Sequence, residues 1–283
     1  MDKKTVGLVE IIIASLLFGF IPLVVRYDTH LGPYNLAFFR VAVAALGIFL
    51  FLKIAKNYTL QPFKSEKIKL IFFGAIHGFI ILGYFFAIKY LSIASAVLLL
   101  YSAAIWIVVF SWLILKEKIT PRTIIGLIVA FIGLIIIVSP KEFFVNENII
   151  GSIAGLLAGI GFGLVYVLSK TFKKYDKVSL TFWQNFFAIP FTIPLLLIDF
   201  PKVFTLTDAG LIILLSIFFT AIPFILVFRG FEKINAQKGG VVILLDIIFP
   251  ILLGLLIFKE IPTVSNIIGG VLIIIGVVIV TKN

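Results

Sequence analysis

The chain has 283 residues, 62% of them apolar and 13% charged, where soluble domains run near about 45–50% and about 25%, so a soluble single domain is excluded. The absence of cysteine rules out a disulfide framework, a thiolate metal site and a thiol nucleophile. The net charge of +11 does not call for nucleic acid as a partner: ten spans of about 20 residues would leave the basic groups in short links, where topology and anionic headgroups account for them.

In chain order, apolar runs bounded by Lys, Asp, Pro or Asn fall at 6–25, 34–54, 68–88, 93–115 and 122–139, then at 150–169, 178–198, 207–228, 239–258 and 264–281. Each is long enough to cross a bilayer, and none has the period-2 alternation of barrel strands. The expected fold is an all-α integral membrane bundle of ten transmembrane helices, spans 1 to 10. Span 1 follows Lys3 and Lys4 as a secretory signal would. Its apolar run is about 20 residues and no A-x-A site follows it, so it is expected to remain as a span. Of the 24 Lys and Arg, 18 fall on the side of the two termini and 5 on the opposite side, with Arg40 inside span 2. The positive-inside rule then places both termini in the cytoplasm, in a multi-pass protein of the cell membrane.

Sliding the second half over the first finds one register, at an offset of 143 to 144 residues. Leu115–Ser139 lies over Phe258–Lys282 with 9 of 25 positions identical, including Lys116-Glu117 over Lys259-Glu260, Thr120 over Thr263, Gly126 over Gly269 and Gly133 over Gly276. Gly7, Ala14, Phe18 and Gly19 match Gly151, Ala158, Phe162 and Gly163. The expected units are 1–143 and 144–283, each with five spans. Because five is odd, the second enters the membrane with opposite polarity, which makes an inverted repeat about a pseudo-two-fold axis in the membrane plane.

Ten spans in two quintets, an Arg early in span 2, and a Glu closing spans 4 and 9 before a Gly-bearing helix resemble the EamA branch of the drug/metabolite transporter superfamily. The resemblance implies a secondary carrier, often an exporter of amino acids or related metabolites. It also implies a central cavity lined by spans 1–4 and 6–9, with spans 5 and 10 peripheral. Arg40 has Gln184 as its repeat counterpart, so substrate contact there would be asymmetric.

Ionisable groups inside a span cost about 2.5–3.5 kcal/mol on insertion scales, so each needs a reason. Arg40 either holds a substrate carboxylate in a bidentate fork or caps carbonyls and snorkels outward. Asp246 lies a turn before Pro250, whose missing N–H frees the Asp246 carbonyl; its carboxylate binds an amine, carries a proton or pairs with a neighbouring helix. His77 is near the middle of span 3, and with His30 as its one fellow a His-rich metal site is excluded. Glu10 lies near the inner edge of span 1, at the interface or as a second ion-coupling group. Tyr84, on the face of His77, and Tyr101, Trp106, Tyr166 and Trp183 are candidate cavity rings or belt residues. Pro22, Pro223 and Pro250, with Pro190 and Pro194, are expected to kink spans as hinges or static bends. Gly151, Gly155, Gly159 and Gly163 form one packing face of span 6. The Lys-Glu pairs at 116/117 and 259/260 are helix-end anchors or gating ion pairs.

The function expected is alternating-access transport of a small polar or zwitterionic, amino-acid-like metabolite, with export as the direction. The expected partners are that solute and the bilayer, with protons and a homodimer left open; no cofactor, metal or nucleic acid is expected. Scattered single ionisables argue against a lipid-modifying membrane enzyme, and the lack of charge rings or a filter motif argues against a passive channel.

Overall fold

The structure, a computed structural model, describes residues 2–26, 31–55, 60–61, 66–138, 148–198 and 203–282; His30 lies outside them. Ten helices are long and apolar enough to span a membrane: Lys3–Val24, Pro33–Ile54, Lys67–Tyr90, Ile93–Leu115, Pro121–Val138, Ile149–Ser169, Lys177–Ile198, Leu206–Lys233, Ala236–Phe258 and Val264–Thr281. They are the ten expected spans, and no strand occurs among the described residues. Ten crossings bring both ends of the chain to one face of the bundle, the termini face; the other is the far face.

The ends of these helices follow from local chemistry. Pro33 and Pro121 sit in first turns, where a missing N–H has no partner to lose. Side chains of Asn148, Thr205 and Thr263 cap spans 6, 8 and 10. Spans 4 and 9 stop in the same way: Lys116 and Lys259 both take the left-handed conformation at φ 57°. The next N–H then reaches back six residues, Glu117 to Ser111 at 3.1 Å and Glu260 to Gly254 at 3.2 Å.

Lipid removes the hydrophobic drive between helices, so spans meet where small residues let backbones approach. A methyl on Gly126 would stand 2.8 Å from the Gly276 carbonyl oxygen, and one on Gly133 2.5 Å from that of Gly269. Spans 5 and 10 therefore cross antiparallel, with Ile124, Ile125, Ile128 and Ile132 turned outward. Gly7 of span 1 meets Gly230 of span 8, while Gly83 of span 3 meets Ala154 of span 6. Gly74 and Gly78 seat span 3 on span 7.

Several spans are interrupted. Span 1 breaks at Gly19-Phe20 just before Pro22. Span 8 widens into a π-helical stretch, Leu214–Ala221, ahead of Pro223, and Thr220 Oγ1 donates to the Leu215 carbonyl at 2.9 Å. In span 9 the break lies at Ile243-Leu244, a turn earlier than Pro250 alone would place it: Asp246 N–H donates to Ile243 and Ile247 N–H to Leu244, three residues back. Pro250, Pro190 and Pro194 sit inside uninterrupted helix. Span 4 breaks at Ser102 with neither Pro nor Gly there, because Ser102 Oγ takes the Leu99 carbonyl at 2.6 Å while Gly159 of span 6 presses on that turn.

Candidate functional site

Most buried hydroxyls return their proton to their own helix. Ser111 donates to Val108 at 2.8 Å, Ser169 to Tyr166 at 2.6 Å and Thr181 to Lys177 at 2.7 Å. Ser15 alone among the buried Ser and Thr of the described residues has an unpartnered hydroxyl. It faces the Asp246 carboxyl beyond hydrogen-bond geometry, and Asp246 Oδ1 has no partner either.

These two belong to a wider set. Arg40 Nε, Asn35 Oδ1 and both His77 nitrogens are buried without partners on spans 2 and 3. Both Gln184 amide atoms, Asn185 Oδ1 and the Tyr166 hydroxyl repeat this on spans 7 and 6. An unsatisfied buried polar group costs about 1–3 kcal/mol, so a set of them drawn from both halves of the chain, inside helices of membrane-spanning length, calls for a reason beyond packing.

The structure links six of the expected site residues. Arg40 is about 10 Å into span 2 from the far face, at about 1.5 Å per residue, and lies within electrostatic reach of His77 and Tyr84. Tyr84 is within reach of Tyr101, and both Tyr101 and Tyr166 are within reach of Asp246. The chain Arg40, Tyr84, Tyr101, Asp246 thus carries a cation at one end and an acid at the other. Arg40, Tyr84 and Tyr101 are half-buried, whereas Asp246 and Tyr166 are buried. His77 sets its ring edge-on to Phe224 at 5.0 Å, and Tyr166 stacks on Phe231 at 5.0 Å.

Three expected residues are engaged elsewhere. Trp183 donates its indole N–H to the Gln61 carbonyl at 3.1 Å and stacks on Phe187. Trp106 lies against Gly163 in the seam of spans 4 and 6. Glu10 is ion-paired with Lys233, tying span 1 to span 8 near the termini face. Pro22 and Pro250 come together with Leu23, Gly254, Phe258 and Glu260 around a cavity of about 290 Å³ at the far face.

Sequence reasoning overlooked Ser15, Asn35 and Asn185, whose types are too common in spans to stand out. It also left open what Glu117 does. Glu117 accepts the Ala236 N–H at the start of span 9 (2.9 and 3.1 Å) and the Lys170 ammonium of span 6 at 2.9 Å. Lys170 also donates to the Ile234 carbonyl at 2.6 Å, and Gln237 to the Glu117 carbonyl at 3.3 Å. One carboxylate thus joins spans 4, 6 and 9 on the termini face. Lys177 with Glu232 at 3.6 Å adds a tie between spans 7 and 8 there. The halves of spans 4 and 9 nearest this face pack together, with Gly240 against Ile107, whereas Ile93–Tyr101 and Leu245–Phe258 share no comparable contact.

The EamA-like transporter family profile matches residues 5–139 and again 149–282. An uncharacterized transporter of Helicobacter pylori (strain J99 / ATCC 700824) is 28% identical over 171 residues, 60% of this chain and 56% of that protein. One of Archaeoglobus fulgidus is 30% identical over 173 residues, 58% of each. The matched stretch thus spans little more than half the length of these relatives. The pseudopaline exporter CntI of Pseudomonas aeruginosa (strain UCBPP-PA14) is 25% identical over 220 residues, 77% of this chain and 75% of that protein. A crystal structure at 17% identity has a TM-score of 0.82, covering 97% of this chain and 96% of its own, a likeness of fold alone.

Proposed function

The chain belongs to the EamA-like transporter family, and from that premise we propose that it is a secondary active transporter which moves a small polar or zwitterionic, amino-acid-like solute by alternating access. The observation that carries this is the series Arg40, Tyr84, Tyr101 and Asp246, each within electrostatic reach of the next, beside unpartnered buried polar atoms on spans of both halves of the chain. The Arg40 guanidinium takes the solute's carboxylate, Asp246 with Ser15 takes its amine or a proton, and Tyr84 and Tyr101 cover the stretch between. The antiparallel crossing of spans 5 and 10, with Gly126 on Gly276 and Gly133 on Gly269, supports an inverted repeat of two five-span units, 1–143 and 144–283. The excess of Lys and Arg on the termini face supports a cytoplasmic location for both ends. Export is the direction supported by the name of the CntI relative.

Counterflow in proteoliposomes tests the reading. Vesicles preloaded with unlabelled amino acids are expected to accumulate the matching labelled amino acid transiently, and Arg40→Ala is expected to lower that rate at least tenfold for solutes bearing a carboxylate. A wild-type protein that equilibrates solute without counterflow is a channel, and the carrier reading ends there. An Arg40→Ala protein with full counterflow removes the carboxylate assignment.

A further inference from the structure

Spans 4 and 9 end alike, so what one end has beyond the other needs a reason outside the helix end itself. Both close on a lysine at φ 57°, and in both the N–H of the next glutamate reaches back six residues. Those parts suffice to stop a helix. Around them the two copies differ: Trp112 and Lys118 stand where span 9 and its exit have Leu255 and Ile261, 143 positions on.

Trp112 and Lys118 border one cavity of about 550 Å³ on the termini face, together with Leu113, Lys116, Glu117 and Ile119. That volume falls within the range of about 300–1,000 Å³ of small-molecule sites. Its apolar wall of Trp112, Leu113 and Ile119 is exposed, Trp112 by 54%, so at the end of a spanning helix it meets lipid. Glu117 gives its carboxylate to the Ala236 N–H and the Lys170 ammonium, and its charge is already met there. Lys116 and Lys118 are exposed and enter none of the ion pairs among the described residues. The cavity thus sets two uncompensated ammonium groups beside an apolar wall. The far-face cavity, bordered by the counterpart segment at Phe258, Glu260, Ile261 and Pro262, has no basic residue among the described residues of its wall.

A free phosphate would leave the apolar wall unused, and a zwitterionic headgroup would bring a third ammonium up to two lysines. A phosphodiester on a diacylglycerol answers both the charge and the wall, at the depth where indole rings settle. We propose that this cavity binds one anionic phospholipid from the leaflet at the termini face. Its phosphate lies on Lys116 and Lys118, the Trp112 indole N–H donates to an ester oxygen, and acyl carbons run along Leu113 and Ile119. The bound lipid stands directly against the segment whose Glu117 ties span 9. This holds whichever solute the chain moves.

Native mass spectrometry of the detergent-purified full chain tests this, with phosphatidylglycerol and phosphatidylethanolamine of identical chains as probes. The first phosphatidylglycerol is expected to bind at least tenfold tighter than the first phosphatidylethanolamine, the order that two lysines near an anionic headgroup supply. Lys118→Gln is expected to cut that preference about fivefold. Trp112→Leu with Lys118→Ile, which gives span 4 the residues of span 9, is expected to abolish it with an unchanged unfolding midpoint in lipid-free detergent. Lys174→Gln removes an exposed cation of the same face outside the cavity and is expected to retain the full preference. An equal loss in Lys174→Gln and Lys118→Gln means diffuse attraction to a basic face and overturns the site. Equal binding of the two lipids by the parent also overturns it. So does displacement of phosphatidylglycerol by an equal concentration of glycerophosphoglycerol, which carries the same phosphate without the chains.

Discussion

Spans 6 and 4 touch closely at Gly155, Gly159 and Gly163, whereas their counterparts 1 and 9 touch as closely only at Gly19, against Phe249, and face each other through Ser15 and a carboxylate one turn earlier, although both pairs run parallel and both contain a broken helix. The difference lies in two positions. Gly155 and Gly159 of span 6 let it lie directly on Leu99 and Ser102, where a methyl on Gly159 would overlap the Leu99 carbonyl. The same register puts Ile11 and Ser15 in span 1. Ile11 is too large for such an approach, and Ser15 turns its hydroxyl to Asp246 in place of its own helix. One half of the chain thus uses this position for packing and the other for a hydroxyl facing a carboxyl.

Four substitutions probe the contrast, ordered by expected effect. Glu117→Gln removes the charge shared by Lys170 and the Ala236 N–H, and is expected to destabilise by about 2–3 kcal/mol, seen as a lower midpoint in detergent or nanodisc unfolding. Gly159→Ser puts the residue of span 1 into span 6, and overpacking against Leu99 and Ser102 is expected to cost about 1–3 kcal/mol; an unchanged midpoint would mean the seam is looser than its geometry. Ser15→Gly gives span 1 the residue of span 6 and is expected to change stability by about 1 kcal/mol or less, while lowering counterflow through the lost hydroxyl at Asp246. Glu260→Gln, at an exposed side chain, is expected to stay within about 0.5 kcal/mol of the parent; a loss as large as that of Glu117→Gln would erase the distinction between the two faces.

How much was legible in the sequence depends on the range of the signal. Span positions were legible because length and apolarity act within one helix, and Pro22 and Pro223 announced breaks that Gly19-Phe20 and Leu214–Ala221 carry out. Ser102 was not legible, since a serine in a span ordinarily bonds back without breaking it; the interruption needs span 6 pressed on that turn. Asp246 and Arg40 stood out as charges in lipid, but their link through Tyr84 and Tyr101 crosses four spans. Trp183 is legible as a cavity ring or a belt residue, but its hydrogen bond to Gln61 joins it to a link that composition does not connect to it. Glu117 was legible as a helix end, while its hold on span 9 depends on a residue 119 positions away.

By itself the sequence determined the ten crossings, the shared face of the two termini and the register of the two halves, because hydropathy, length and repetition are written locally along the chain. Only the tertiary structure decided which ionisable groups stand together, which seam closes and which face is tied. Those outcomes depend on backbone approach and hydrogen-bond geometry between helices distant in sequence, and a one-dimensional pattern carries neither.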